Sequence, residues 1–99
     1  MMRRMVLMHF RKDEVSTFIS LFEKNRGHIA SFPGCNHLDL LRDKEDSGTF
    51  VTYSIWESEE ALENYRKSEL FQGVWSQTKV LFSAAPQAWS LDKAWGSGS

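Results

Sequence analysis

The side chains best suited to chemistry are aromatic groups with polar tips in the second half of the chain. Trp56, Tyr65 and Trp75 each join a large apolar ring to an N–H or O–H group that can donate a hydrogen bond. Phe71 lies between the last two and could add apolar wall. Such residues could line a water-poor pocket and hydrogen-bond the oxygens of a small aromatic ligand.

Proton transfer in such a pocket would need a base, and His9 is the best candidate because an unperturbed imidazole titrates near pH ~6.5. Tyr53 is a further polar-tipped aromatic residue, but strand alternation places it on the opposite face of its strand from Trp56. The sequence leaves open which face holds the pocket.

The sequence predicts no bound cofactor and no metal. No glycine-rich loop follows a strand and opens a helix, as a nucleotide site would require. His9, His28 and His37 have no short ligand spacing and no carboxylate or thiol in register with them. Any oxygen chemistry would therefore use the substrate's own electrons or a cofactor that is held by the shape of the pocket.

The aromatic residues are positioned by the stretch 50–71, which is typical of a strand that runs directly into a helix. Residues 50–56 are nearly all β-branched or aromatic, which suits a packed, pleated surface. Ser58 is the predicted helix N-cap. Glu59 and Glu60 place negative charge in the first helical turn, near the positive end of the helix dipole.

The remaining periodicities predict an α+β fold of the ferredoxin-like βαββαβ type: an antiparallel four-stranded sheet in the order 4-1-3-2, with the helices on one face. Asp13 is the predicted cap of the first helix, and Ser68 is predicted to restart the second helical region. Leu81 and Phe82 continue the helical spacing that precedes Pro86. The predicted strands are 5–11, 36–43, 50–56 and 88–93, and the first helix is predicted to end near residue 30.

The first strand is apolar on both faces. Val6, Met8 and Phe10 alternate with Met5 and Leu7, and His9 shares the face of the last two. A strand that is apolar on both sides needs cover on both sides, and one layer of helices covers only one. This pattern predicts a homodimer in which a second subunit covers the other face.

The run TYSIWESEEALENYRKSELF, with VWSQTKVLF and AWSL after it, resembles the antibiotic biosynthesis monooxygenase family over residues 5–91. The resemblance implies a dimeric α+β barrel and the cofactor-independent monooxygenation of a small aromatic or quinol-type substrate, which would be the small-molecule partner. Under this hypothesis the catalytic residues are His9, Trp56 and Tyr65, and the substrate-binding residues are Tyr53, Phe71 and Trp75.

Two alternatives remain open. One is a non-catalytic dimeric domain that binds a small ligand or acts in a stress response. The other is haem degradation, which a branch of the same family performs. Against that branch, an ungapped comparison puts Tyr65 at a tryptophan position and Trp75 at the position of a histidine. An indole offers iron no lone pair, whereas imidazole does, so this alternative is the weaker one.

Composition predicts a single domain over residues 1–95, followed by a linker-like Gly/Ser tail at 96–99. The chain has 99 residues and a formal net charge of -1, which favours neither nucleic acid nor an anionic membrane as a partner. No apolar run approaches the roughly 18 residues of a membrane helix. A single cysteine, Cys35, excludes an internal disulfide and predicts a cytoplasmic location.

Overall fold

The computed structural model describes residues 1–97 and forms one four-stranded sheet with three α-helices. Gly98 and Ser99, half of the predicted tail, lie outside the described residues, and the division into domain and tail stays a prediction. The strands are β1 (Met2–Phe10), β2 (Cys35–Arg42), β3 (Thr49–Trp56) and β4 (Phe82–Leu91). The helices are α1 (Val15–Ala30), α2 (Glu59–Arg66) and α3 (Glu69–Lys79), and a short 3-10 helix (Lys12–Glu14) precedes α1.

The sheet has the order β2-β3-β1-β4 with antiparallel pairing throughout, which confirms the predicted ferredoxin-like α+β fold. Met2 pairs with Trp56 and Met8 with Phe50, so the even-numbered residues of β1 and β3 share one face. Phe18 of α1 and Leu62 of α2 pack against that face, which places both helices on the same side of the sheet.

The second helical region is divided by two serine caps, as predicted. The Ser58 hydroxyl accepts a hydrogen bond from the backbone N–H of Ala61 at 3.1 Å, and Ser68 does the same for Phe71 at 3.1 Å. Each bond satisfies a backbone donor that the first turn of a helix leaves unpaired. The chain therefore stops α2 and restarts as α3 in a new direction.

The predicted start of the first helix is wrong. Asp13 lies inside the 3-10 helix, and the residue at the N-cap of α1 is Glu14, which makes no side-chain capping bond. The first strand also begins at Met2 rather than at residue 5. Of its three extra residues, Met2 pairs with Trp56 on β3, and Arg3 and Arg4 pair with both neighbours, Arg4 with Ser54 on β3 and with Ser90 on β4. Pairing on both sides thus keeps these polar residues in the sheet.

The predicted boundary between the last helix and β4 is also wrong. The helix ends at Lys79, and β4 begins at Phe82, well before the predicted residue 88. Phe82 pairs with Phe10, so pairing with β1 overrides the helical spacing. Ala85 and Pro86 lie opposite Met8 alone, which makes a β-bulge. Because β4 is an edge strand, the bulge tolerates the missing N–H of proline.

Two buried clusters lie between the sheet and the helices. The first, here called the phenylalanine core, contains Met8, Phe10, Val15, Phe18, Phe50 and Leu81. The second, here called the tryptophan cluster, contains Met2, Trp56 and Leu62, with Phe32, Cys35, Ala61 and Tyr65 packed against it.

A glycine brings the loop before β2 against α2 beside the tryptophan cluster. Gly34 has φ of 90°, a conformation that side chains rarely adopt. A Cβ atom there would lie 2.5 Å from the Cβ of Ala61. The Gly34 carbonyl also accepts a hydrogen bond from the backbone N–H of Glu57. The close approach therefore requires glycine.

The opposite face of the sheet, here called the open face, carries the odd-numbered residues of β1 and β3 with their neighbours on the edge strands. It remains apolar and partly exposed in the single chain: Leu41 is 48 % exposed, Trp89 43 % and Leu91 41 %. The other apolar side chains on this face are Met5, Leu7, Val51, Tyr53 and Ile55.

Candidate functional site

A cavity of about 300 Å³ lies between the sheet and the helices, next to the tryptophan cluster. Its floor includes Val6 of β1 and Thr52, Ser54 and Trp56 of β3, all on the helix-covered face. The helices supply its aromatic wall. This volume is at the small end of the range for small-molecule sites in proteins, about 300–1,000 Å³.

Four of the predicted site residues line this cavity together. The rings of Trp56 and Tyr65 stack with centroids 5.0 Å apart, and those of Phe71 and Trp75 stack at 5.8 Å. Tyr65 meets Phe71 edge to face at 5.2 Å. The break between α2 and α3 positions the wall, because Tyr65 lies in the last turn of α2 and Phe71 in the first turn of α3.

The polar tips of these aromatic residues are not equivalent. Trp56 is 1 % exposed, and its indole N–H donates to the Ser54 hydroxyl at 2.9 Å. Its donor is therefore occupied. Across residues 1–97, no hydrogen bond involves the Tyr65 hydroxyl or the Trp75 indole N–H, and no fully buried side-chain polar atom lacks a partner. Both tips are therefore at least partly accessible, and because both residues line the cavity they are its candidate donors to a ligand.

Burial fixes the protonation of the two acidic groups beside the wall. Burial raises the pKa of Tyr65 far above its usual value, and the nearby Cys35 raises it further. Burial also raises the pKa of the Cys35 thiol. Tyr65 is thus a neutral phenol at physiological pH, suited to donating a hydrogen bond and not to accepting a proton.

Two arginines that were not predicted also line the cavity. Arg4 projects from β1, where its Nη1 donates to the Ser90 hydroxyl at 2.9 Å, and Arg66 ends α2. Burial lowers the pKa of Arg4, and the charge of Arg66 lowers it further. Side chains two residues apart on a strand share a face, so Val6 on the cavity face predicts that Arg4 lies there too. In the same way, Trp56 predicts that Ser54 and Thr52 lie on the cavity face.

The structure does not bring His9 and Tyr53 to this cavity. His9 lies on the open face, where its Nδ1 is 3.0 Å from the Thr49 hydroxyl, beside a shallow depression that Lys12 and Asp46 also line. Tyr53 lies on the open face as well and meets the ring of His37 at 6.0 Å.

No imidazole or carboxylate is among the described residues that line the cavity, so its ionisable groups are Arg4, Arg66 and Tyr65. The part of the chain that the structure describes also holds no group of three or more His, Cys, Asp or Glu side chains that could bind a metal. The arrangement can therefore enclose an aromatic molecule, donate hydrogen bonds to it and favour negative charge on it. Within residues 1–97, no helix is both long and apolar enough to cross a membrane.

The family model described as "Antibiotic biosynthesis monooxygenase" matches residues 1–74. The chain belongs to this family, which confirms the resemblance noted in its sequence. The match includes β1 to β3, α2 and the start of α3. No curated protein is significantly similar to the chain in sequence.

Several solved structures share the fold at low sequence identity. A crystal structure of an antibiotic biosynthesis monooxygenase is 18% identical, with a TM-score of 0.90 over 95% of this chain and 99% of that one. A protein from Mycobacterium tuberculosis is 18% identical, with a TM-score of 0.88 over 98% of both chains. SnoaB, a cofactor-independent oxygenase from Streptomyces nogalater, is 14% identical, with a TM-score of 0.87 over 99% of this chain and 97% of that one.

Proposed function

We propose that the chain is a cofactor-independent monooxygenase that acts on a small electron-rich aromatic molecule, such as a quinol, in the cavity beside Trp56. The observation that carries the proposal is the aromatic enclosure with two free donors, Tyr65 and Trp75. Family membership supports it, as does the fold shared with a cofactor-independent oxygenase.

The chemistry needs nothing beyond the substrate and O₂. A deprotonated phenol or quinol is electron-rich enough to reduce O₂, so a ring CH or CH₂ becomes C=O. One oxygen atom enters the product and the other leaves as water, and the substrate supplies the four electrons. The cavity would favour the reactive anion by donating hydrogen bonds from Tyr65 and Trp75 and by holding positive charge nearby. Its apolar wall would exclude bulk water.

Deprotonation is the step for which the described residues that line the cavity offer no general base. His9 stays outside the proposed site, because it lies on the other face of the sheet. In the proposal the substrate proton therefore passes to solvent, and the substrate pKa is lowered by its surroundings in the cavity. An activity profile that follows the ionisation of the bound substrate is expected.

A homodimer formed through the open face is part of the proposal. Trp89, Leu91 and Leu41 leave large apolar areas exposed, and a second sheet stacked on this face would remove them from water. Light scattering at micromolar concentration should give twice the chain mass. We also propose a cytoplasmic location, since a reducing compartment suits the free thiol of Cys35.

Oxygen uptake with a panel of quinols and anthrones tests the proposal. Purified protein without added haem or flavin should consume O₂ and yield a product heavier by one oxygen atom and lighter by two hydrogens. Tyr65→Phe and Trp75→Phe should each lower kcat by about tenfold or more, because each removes one donor to the developing anion. Tyr53→Phe, on the open face, is the matched control. Turnover no faster than buffer across the panel would overturn the proposal.

A non-catalytic ligand-binding domain is the second candidate, and the lack of a base among the described residues that line the cavity favours it. In that case an aromatic ligand would bind in the cavity, and mass spectrometry would detect no product. Ligand affinity of His9→Ala does not separate the two candidates, because His9 lies outside the cavity. Haem degradation is not proposed, because no described imidazole lines the cavity. Added haemin should give no Soret band characteristic of a histidine-ligated iron.

A further inference from the structure

We infer that Arg4 and Arg66 form a carboxylate-binding subsite at the solvent side of the cavity, so that the preferred ligand is an aromatic acid. The inference names the substrate class of the proposed site and so rests on the proposed function. It rests on two observations: both guanidinium groups line the cavity, and the hydrogen bonds and ion pairs they make leave them available to an anion.

Arg4 has donors to spare. A guanidinium carries five N–H groups, and the hydrogen bond that Arg4 makes within the described residues uses only one nitrogen, to Ser90. Arg4 makes no ion pair with any carboxylate in residues 1–97. The side chain is half-buried between β3 and β4, on the face that carries the cavity. A bound anion would stabilise a partly desolvated cation of this kind, which makes no ion pair, through charge-assisted hydrogen bonds.

Arg66 adds a second charge to the same cavity and is not neutralised by its neighbours. Its Nη1 is 3.8 Å from a carboxylate oxygen of Glu63, and both side chains are about half exposed. The other oxygen of Glu63 lies 3.9 Å from the ammonium of Lys67. Arg66 and Lys67 thus share one carboxylate. Together with Arg4, these three cations and Glu63 carry a net positive charge.

The two arginines line the same cavity. The charge of Arg66 also lowers the pKa of Arg4, as expected for like charges that share a site. Two cations placed together without an intervening acid repel, and a carboxylate between them would relieve the repulsion. Tyr65 and Trp75 line the same cavity, so the ring of an anion bound by the arginines would lie in the space that these aromatic residues enclose.

Binding of a matched pair of probes, 2-naphthoate and 2-naphthamide, tests the inference by isothermal titration calorimetry. The two share a ring system and differ in charge. Wild-type protein should bind the carboxylate at least about tenfold more tightly than the amide, as expected of a charge-assisted hydrogen bond. Arg4→Gln and Arg66→Gln should each reduce this preference severalfold and weaken binding of the amide little.

The chain supplies close controls for both substitutions. Arg3 adjoins Arg4 but lies on the opposite face of β1, and Lys67 adjoins Arg66 but does not line the cavity. Arg3→Gln should keep the preference for the carboxylate, and Lys67→Gln, which leaves Glu63 to pair with Arg66 alone, should lower it less than Arg66→Gln does. Arg4→Lys keeps a charge in β1, so it should retain more of the preference than Arg4→Gln if the latter still folds by circular dichroism.

Equal affinity of the wild type for the two probes, or no binding of 2-naphthoate, would overturn the inference. Survival of the preference in the Arg4→Gln/Arg66→Gln double variant would do so as well. The results distinguish this inference from the proposed function. Oxygen uptake with a neutral quinol but no preference for the carboxylate would contradict only the carboxylate subsite. A preference for the carboxylate without turnover of any substrate would contradict only the monooxygenase activity.

Discussion

The phenylalanine core and the tryptophan cluster lie on the same face of the same sheet and both border the cavity, but the central ring of the first, Phe10, does not line it, whereas Trp56 does. Phe10 meets Phe18 at 4.0 Å, Phe82 at 5.2 Å and Phe50 at 5.8 Å, so its ring is enclosed by other apolar rings. Trp56 has Phe32 at 6.5 Å and Tyr65 at 5.0 Å, and it also faces the cavity.

The helices above each cluster explain the difference. The phenylalanine core is covered by α1, an uninterrupted helix of 16 residues that places Phe18 and Phe22 one turn apart. The tryptophan cluster is covered by α2, which has only 8 residues and ends at Arg66. The extended backbone of Ser68 ends α2 and lets α3 begin separately. The continuous helix thus closes over Phe10, whereas the interruption near Trp56 leaves Tyr65 and Trp75, on two short helices, facing the cavity.

The largest difference is expected between truncating a phenylalanine of the phenylalanine core and truncating one in the aromatic wall beside the tryptophan cluster. Phe18→Ala is expected to cost about 3–5 kcal/mol of unfolding free energy, because the Phe18 ring is buried and stacks on Phe10. Phe71→Ala, at the cavity wall, should cost only about 1–2 kcal/mol, since part of that ring is already exposed. Urea denaturation measures both. Similar losses for the two variants would mean that the tryptophan cluster is as closed as the core.

Removal of the Ser54 hydroxyl should have the next largest effect. Ser54→Ala leaves the buried indole N–H of Trp56 without its acceptor, which is expected to cost about 1–3 kcal/mol. Ser54→Thr keeps a hydroxyl on a strand and is the matched control. The Trp56 indole proton should also shift in the NMR spectrum of Ser54→Ala. An unchanged urea unfolding midpoint in Ser54→Ala would show that the indole N–H of Trp56 has another hydrogen-bond acceptor in the cavity.

Two glycines should respond to alanine in opposite directions. Gly34→Ala combines a positive φ with contact to Ala61 and is expected to cost about 1–2 kcal/mol or more. Gly73 lies within α3, and a Cβ there meets nothing within 4 Å. Gly73→Ala should therefore raise the unfolding free energy by about 0.5–1 kcal/mol. Thermal unfolding measures both, and a loss of stability in Gly73→Ala would contradict the open space beside α3.

The smallest effect is expected at Asp46, whose loop closes the end of the sheet beside the phenylalanine core. Hydrogen bonds from Lys12, the Gly48 N–H and Thr49 hold the pKa of Asp46 well below its usual value. A depressed pKa contributes stability above the ordinary aspartate pKa of about 3.9, and this stability is lost as the pH falls below it. Because Asp46 is exposed, the contribution is small.

Thermal midpoints measured between pH 7 and pH 2 test this expectation. Asp46→Asn should show a smaller loss on acidification than the wild type, and Asp43→Asn, in the same loop, serves as the control. If the thermal midpoints of the wild type and of Asp46→Asn fall equally with pH, solvent screens the interactions of Asp46 completely.

Local signals in the sequence predicted most of the fold. Ser58 and Ser68 were identified as caps because an N-cap bond spans only three residues. The start of β4 was not predicted, because Leu81 and Phe82 fit a helical period and only the distant strand β1 decides otherwise. Asp13 was misassigned for a related reason, since a 3-10 turn precedes α1.

The site was predicted in part for the same physical reason. Phe71 and Trp75 are four residues apart on one helix, and Trp56 and Tyr65 lie at the ends of the strand and the helix that precede it, so the four meet at the cavity. The position of His9 depends on which face of the sheet the helices cover, which alternation along one strand does not reveal. Arg4 was missed because the predicted strand begins at residue 5, and alternation from Val6 reaches Arg4 only once β1 is known to begin at Met2.

The bulge at Ala85 and Pro86 has a consequence for how chains meet one another. An edge strand as long as β4 would ordinarily offer a template on which unrelated extended segments add and aggregate. The bulge interrupts the row of donors and acceptors, and proline removes one donor outright. A foreign strand could therefore pair without interruption only along 87–91. The bulge thus protects the protein at high concentration against aggregation by strand addition at this edge.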